Sequence, residues 1–113
     1  MKDCIFCKII DGEIPSTKVF ENDDLIIIKD LNPQAKIHLL LIPKTHYENI
    51  EELAVNDPEL LKRCFATLAE VSDSLGLKDG YRVITNKGEN GCQSVKHIHI
   101  HILGGEKLAE KMG

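Results

Sequence analysis

The chain has 113 residues, 14 of them basic and 18 acidic, for a net charge of −4. That length makes one small domain, residues 1–113, with a single modest core, and the acidic balance excludes the electrostatic footprint of a general nucleic-acid binder. With no apolar run near the roughly 18 residues of a membrane span and no N-terminal signal region, a soluble cytoplasmic protein is expected.

Cys4 and Cys7 open the chain as a Cys-x-x-Cys pair. Two thiolates at that spacing form half of a tetrahedral zinc site if imidazoles arrive from elsewhere. Small buried cysteines are a second reading, and a redox pair a third, although the pair does not sit at a strand-to-helix junction. The chain's four cysteines are expected as thiols, not disulfides. Asp11-Gly12, within Ile9 to Pro15, predicts a short hairpin. Strands are predicted at 18–21 and 25–30, joined by Asn22-Asp23-Asp24, and a third at 36–42. In the third, Ile37, Leu39, Leu40, Leu41 and Ile42 imply burial on both faces before Pro43 ends it. His38 lies inside that apolar run.

A short helix is predicted over His46 to Leu53. A longer one follows, with Asp57 as N-cap, Pro58 at the first helical position, and Leu60, Leu61, Cys64, Phe65, Leu68, Val71 and Leu75 at helical spacing. Gly76 followed by Leu77 predicts a left-handed C-terminal cap. A fourth strand runs near Tyr81 to Thr85, after the Asp79-Gly80 turn, and a fifth carries the last histidines. Strands, then helices, then strands argue for an α+β fold on a mainly antiparallel five-stranded sheet, with one long and one short helix.

The fifth strand reads His97-Ile98-His99-Ile100-His101-Ile102-Leu103. Strict alternation places the imidazoles on one face and the isoleucines on the other. Successive imidazoles stand roughly 6.6 Å apart at Cα, close enough to share a phosphate or a metal. Histidine is the side chain best suited to proton transfer, nucleophilic attack and metal ligation near neutral pH. Upstream, Asn86 to Ser94 is a Gly- and Asn-rich loop whose amides and Ser94 hydroxyl form a candidate anion-holding concavity.

The run from Gly91 to Leu103 resembles the signature of the histidine triad (HIT) family, His-φ-His-φ-His-φ-φ with φ apolar. Further similarity lies in Cys4 to Ile10, Asp30 to Ala35, Leu41 to Lys44 and Gly104-Gly105. Within the family the chain is most like the Hint branch of nucleoside phosphoramidate hydrolases. The resemblance implies a HIT-like fold paired into a homodimer with a continuous sheet. It also implies cleavage of purine nucleoside 5′-phosphoramidates, AMP joined to an amine, with no organic cofactor.

Carried over residue by residue, His99 is the nucleophile that forms a nucleotidyl-imidazole intermediate. His101 bonds the phosphoryl oxygens and assists the leaving amine, His97 and His38 orient the others, and Ser94 with the backbone around Cys92 and Gln93 holds the phosphate. Asp30 accepts both ribose hydroxyls, Leu31 flanks the ribose, and Asn86 faces the ribose and phosphate. Ile5, Phe6, Ile9, Ile14 and Ile28 correspond to an apolar slot for the base. Some bacterial members carry zinc on two cysteines and two histidines, which here are Cys4, Cys7, His46 and His97. Two departures stand out: Cys92 occupies a position usually held by glycine, and the tail after Gly105 lacks an aromatic end. Alternative readings are a nucleotide-binding regulatory or scaffold protein, a dinucleoside polyphosphate hydrolase, and a triad that itself holds a catalytic metal.

Overall fold

The computed structural model describes residues 3–112, and among them no helix is long and apolar enough to cross a membrane. Five strands form one antiparallel sheet in the order β1-β2-β3-β5-β4: β1 Lys18–Glu21, β2 Leu25–Lys29, β3 Ile37–Pro43, β4 Tyr81–Ile84 and β5 Ile100–Gly104. β3 lies between β2 and β5 and is buried from His38 through Pro43, as its unbroken apolar run predicts.

Three helices accompany the sheet, one more than expected. In place of the hairpin read over Ile9 to Pro15, the chain forms a helix, α1, over Ile5–Ile10, and Asp11-Gly12 follows its end. Cys4 Sγ accepts the Cys7 N–H at 3.3 Å as an N-cap, and Phe6 and Ile9 share the buried face. Asp11 and Gly12, the latter at φ +81°, close the helix, their N–H groups donating to the Cys7 and Ile9 carbonyls. The Asp-Gly pair is thus a helix terminus, not a strand turn. The next helix, α2, is Ile50–Asn56, later than predicted because the Asn49 side chain caps it by accepting the Glu52 N–H. The long helix α3, Pro58–Val71, starts at Asp57 as expected, with Asp57 Oδ1 accepting the Leu60 N–H. After a short 3₁₀ turn, Gly76 adopts φ +84° and Leu77 enters the core.

The sheet's two faces are covered unequally. On one, Leu25, Ile27, Leu39, Leu41, Ile100 and Ile102 pack against α2 and α3. On the other, Ile26, Ile28, Leu40 and Ile42 meet Phe6 and Ile9 of the six-residue α1, flanked by the partly buried Cys4, Ile10, Ile14 and Val95. The histidines use the face that α1 leaves partly open.

The triad segment is not one continuous strand. β5 pairing with β3 begins at Ile100 opposite Leu41. Two residues further along, the same register would set Ile98 against Pro43, which has no N–H to offer. Ile98 donates instead to the Tyr47 carbonyl at 2.7 Å. His97, at a bend, and His99, on irregular chain, therefore precede the ladder, and of the three only His101 sits within it.

Candidate active site and metal centre

Antiparallel pairing sets Leu40 opposite His101 and His38 opposite Leu103, so His38 and His101 are diagonal neighbours. Their rings meet with His38 Nε2 at 2.9 Å from His101 Nδ1. The Gln34 backbone N–H donates to His38 Nδ1 at 3.0 Å. An imidazole that accepts at Nδ1 carries its proton on Nε2, so His38 donates to His101 Nδ1 and His101 presents Nε2–H outward.

His99 has the opposite tautomer. Its Nδ1–H donates to the His97 carbonyl at 2.8 Å, leaving the Nε2 lone pair free. Burial lowers the pKa of His99, against the raising effects of that carbonyl and Asp30. Burial also lowers His101, helped by neighbouring His99 and His38 and opposed by Asp30. Phe6 stands edge-on to the His99 ring at 4.9 Å between centroids.

His97 is fully buried and turns away from its two companions. Its Nε2–H donates to the Pro43 carbonyl at 2.8 Å, so the Nδ1 lone pair faces Cys4 Sγ at 3.2 Å and Cys7 Sγ at 3.5 Å. His46 Nδ1 lies 3.4 Å from Cys7 Sγ. One donor atom from each of Cys4, Cys7, His46 and His97 falls within 4.8 Å of every other. A tetrahedral ion with Zn–S of about 2.3 Å and Zn–N of about 2.05 Å spaces its sulfur and nitrogen ligands about 3.6 Å apart. The sulfur–nitrogen distances match that geometry closely, and the Pro43 contact is the outer hydrogen bond that orients a ligating imidazole. Burial raises the Cys7 thiol pKa, so the pocket disfavours the thiolate without a cation. The residues fit zinc.

Asp30, His38 and His101 form a second compact cluster. It does not suit a metal, because ligation through His38 Nε2 requires a proton on Nδ1, where the Gln34 N–H already points. Among the described residues His97, His99 and His101 do not gather as one donor cluster, His97 standing instead with the cysteines.

The remaining predicted residues divide. His38, His101, Asn86, Gly91 and Cys92 line one cavity of about 520 Å³. Ser94 lines a different one, of about 410 Å³, with Cys4, Ile5 and His46. The amides expected to hold phosphate are already engaged: Cys92 N–H donates to the Glu89 carbonyl and Gln93 N–H to that of Gly88, both at 3.0 Å. The Gln93 side chain braces the loop through Gly88, Glu48 and Val95. Cys92 adopts φ +58°, keeping a glycine-like backbone with a non-glycine residue. Phe6, Ile9 and Ile28 are core, whereas Ile5 is 45% exposed and Ile14 half-buried. Leu31 is 99% exposed. Asp30 is held by the Asn32 N–H at 2.8 Å and faces His38 Nε2 at 3.4 Å, so it has partners within the chain.

Gln34, Pro43 and Thr85 are site residues that the sequence pattern does not reveal. Gln34 and Pro43 act through main-chain groups, and the Thr85 hydroxyl donates to the His99 carbonyl at 2.9 Å. None carries a signature that side-chain chemistry would flag.

The HIT domain family model matches residues 11–108. The chain belongs to the HIT family. Its fold superposes on a HIT family hydrolase from Clostridium thermocellum with a TM-score of 0.92, at 41% identity over 99% of this chain and 98% of that one. A histidine triad nucleotide-binding protein from Candida albicans gives a TM-score of 0.80 at 31% identity, covering 98% and 87% of the two chains. A 14 kDa zinc-binding protein of Zea mays is 45% identical over 109 residues, 92% of this chain and 83% of that protein. The five-stranded sheet expected of a HIT member is the one observed here.

Proposed function

We propose that this HIT protein is a nucleotide-binding hydrolase of the Hint type that cleaves purine nucleoside 5′-phosphoramidates. The observation that carries this is the pairing of tautomers: a buried His99 with Nε2 free beside a His101 whose Nε2 carries a proton. The first is a nucleophile and the second an acid.

In this reading His99 Nε2 attacks the α-phosphorus as the P–N bond breaks. The departing amine takes its bond's electron pair and a proton from His101 Nε2. Water then attacks the nucleotidyl-imidazole, giving up a proton to His101 and releasing the nucleoside monophosphate. Ser94, Asn86 and Gly91 approach the phosphate, with the Cys92–Gln93 turn shaping the loop without spare amides. Asp30 accepts the ribose hydroxyls, and Ile5, Ile14 and the edge of Phe6 border the base. Relatives named as hydrolase, nucleotide-binding and zinc-binding proteins support the hydrolase, nucleotide and zinc parts of this reading.

Zinc on Cys4, Cys7, His46 and His97 completes the reading. With four protein ligands and no open position, the ion would supply cross-linking, not water activation. Thiols gathered for that purpose suit a reducing, cytoplasmic compartment. The exposed Tyr81 and Val83 on β4, at the sheet edge, support pairing with a second copy into a homodimer.

Comparing kcat/KM across nucleoside phosphoramidates and dinucleoside polyphosphates tests the assignment. The phosphoramidates are expected to lead. Preference for dinucleotides would transfer the protein to the other hydrolase class, and tight nucleotide binding without turnover would make it a binding module.

A further inference from the structure

Asp30 and His38 are joined twice. The Asp30 N–H donates to the His38 carbonyl at 3.0 Å, one step beyond the last β2–β3 pair, Lys29 with Leu39. The side chains meet as well, with Asp30 Oδ2 at 3.4 Å from His38 Nε2 and 4.0 Å from His101 Nδ1. Because Gln34 holds His38 Nδ1 as an acceptor, the single His38 Nε2 proton is bonded to His101 Nδ1 at 2.9 Å, with the Asp30 carboxylate beside it at 3.4 Å.

Asp30 Oδ1 is already occupied by the Asn32 N–H at 2.8 Å. Two sugar hydroxyls arriving at this carboxylate must therefore draw on Oδ2 for at least part of their bonding. That oxygen is the one standing beside the His38 proton.

We propose that Asp30 couples ribose recognition to the acid: a sugar diol that engages Oδ2 screens its charge from the His38 proton beside it. The bond from His38 to His101 Nδ1 then tightens, and His101 Nε2–H stays aimed at the leaving group. This rests on the reading of Asp30 as the ribose acceptor and extends it, because the hydroxyls then act on bond breaking as well as on binding. His38 is the positioning residue that connects the two. A carboxylate that only held the sugar would change affinity and leave the rate at saturation untouched.

Two readouts test the coupling. The first is the ¹⁵N imidazole spectrum of protein saturated with AMP or with 2′,3′-dideoxy-AMP, which needs no turnover. AMP is expected to move the His38 Nε2 and His101 Nδ1 resonances, while the dideoxy nucleotide leaves them near their free positions. The second is the single-turnover rate at saturation with the matching phosphoramidates, expected about tenfold lower without the hydroxyls, one modest hydrogen bond's worth. In His38→Gln that rate ratio should fall toward one while the affinity ratio persists. Identical shifts with both nucleotides would overturn the coupling, as would equal saturating rates in the wild type. Differing shifts in a protein that cleaves no phosphoramidate would keep the coupling and remove the hydrolase reading.

Discussion

At His99 the main chain selects the reactive atom. Its Nδ1–H is spent on the carbonyl two residues earlier, so Nε2 is the lone pair available for attack. Asparagine keeps a similar size and a donor for that carbonyl but has no nucleophilic nitrogen. His99→Asn should therefore retain fold and nucleotide binding while losing at least ~10³-fold in kcat, about 4 kcal/mol of barrier. Near-normal turnover, or an intermediate found by mass spectrometry on another residue, would overturn the role. Cys92 shows a different residue-scale constraint, a left-handed backbone at φ +58° on an exposed loop. Its neighbour Gly91 has no room for a side chain, since a Cβ there would lie 2.7 Å from the Lys87 carbonyl oxygen. Cys92→Val should destabilise the protein by about 1–2 kcal/mol despite its exposure, because a β-branched residue resists that conformation. Cys92→Gly should be close to neutral, and equal urea midpoints for the two variants would refute the argument.

Helix α1 is too short to be stable alone. Its buried contacts come from Phe6 and Ile9, and its N-terminus carries Cys4 and Cys7 of the candidate metal centre. An ion there ties α1 to His97 on the triad segment and to His46 on the connection between β3 and α2. One zinc per chain is expected by elemental analysis of protein purified without added metal, and less in Cys4→Ser. Chelation should lower stability by about 2.7 kcal/mol where zinc had stood at a hundredfold its dissociation constant. The rate per folded molecule should hold. Unchanged zinc in Cys4→Ser would remove the site. By contrast α3 is supported along its length, with Asp57 capping it and Leu60, Cys64 and Leu68 buried against the sheet.

For the molecule as a whole, the histidine face sets the response to pH. Burial drives His97 from the ordinary 6.5 to about 4, and His99 and His101 also shift downward. A folded-state value below the unfolded one means that the unfolded chain binds more protons as pH falls. Stability is therefore complete above about pH 6.5 and is lost on the way down toward 4. For metal-free protein the His97 share is about 2 kcal/mol by pH 5. Urea midpoints measured at pH 7.5 and 5 should fall accordingly, and a flat or rising midpoint would contradict this.

Periodicity and side-chain chemistry, which are local properties, were enough to read the five strands, the long helix with its Asp57 cap and the α+β class, while the HIT resemblance rested on the motif from Gly91 to Leu103. They also singled out the two cysteines and the five histidines, residues that are rarely grouped this way without a shared ligand. What they did not show depends on contacts between distant segments. Asp11-Gly12 marks a turn in sequence, but only the burial of Phe6 and Ile9 makes that turn the end of a helix. Alternation predicted three equivalent imidazoles, yet the missing N–H of Pro43 ends the ladder, and the Pro43 carbonyl turns His97 toward the cysteines. The tautomers of His38, His97 and His99 were likewise undecided, because each is set by a backbone group that carries no mark in the sequence and acquires its role only from where the fold puts it.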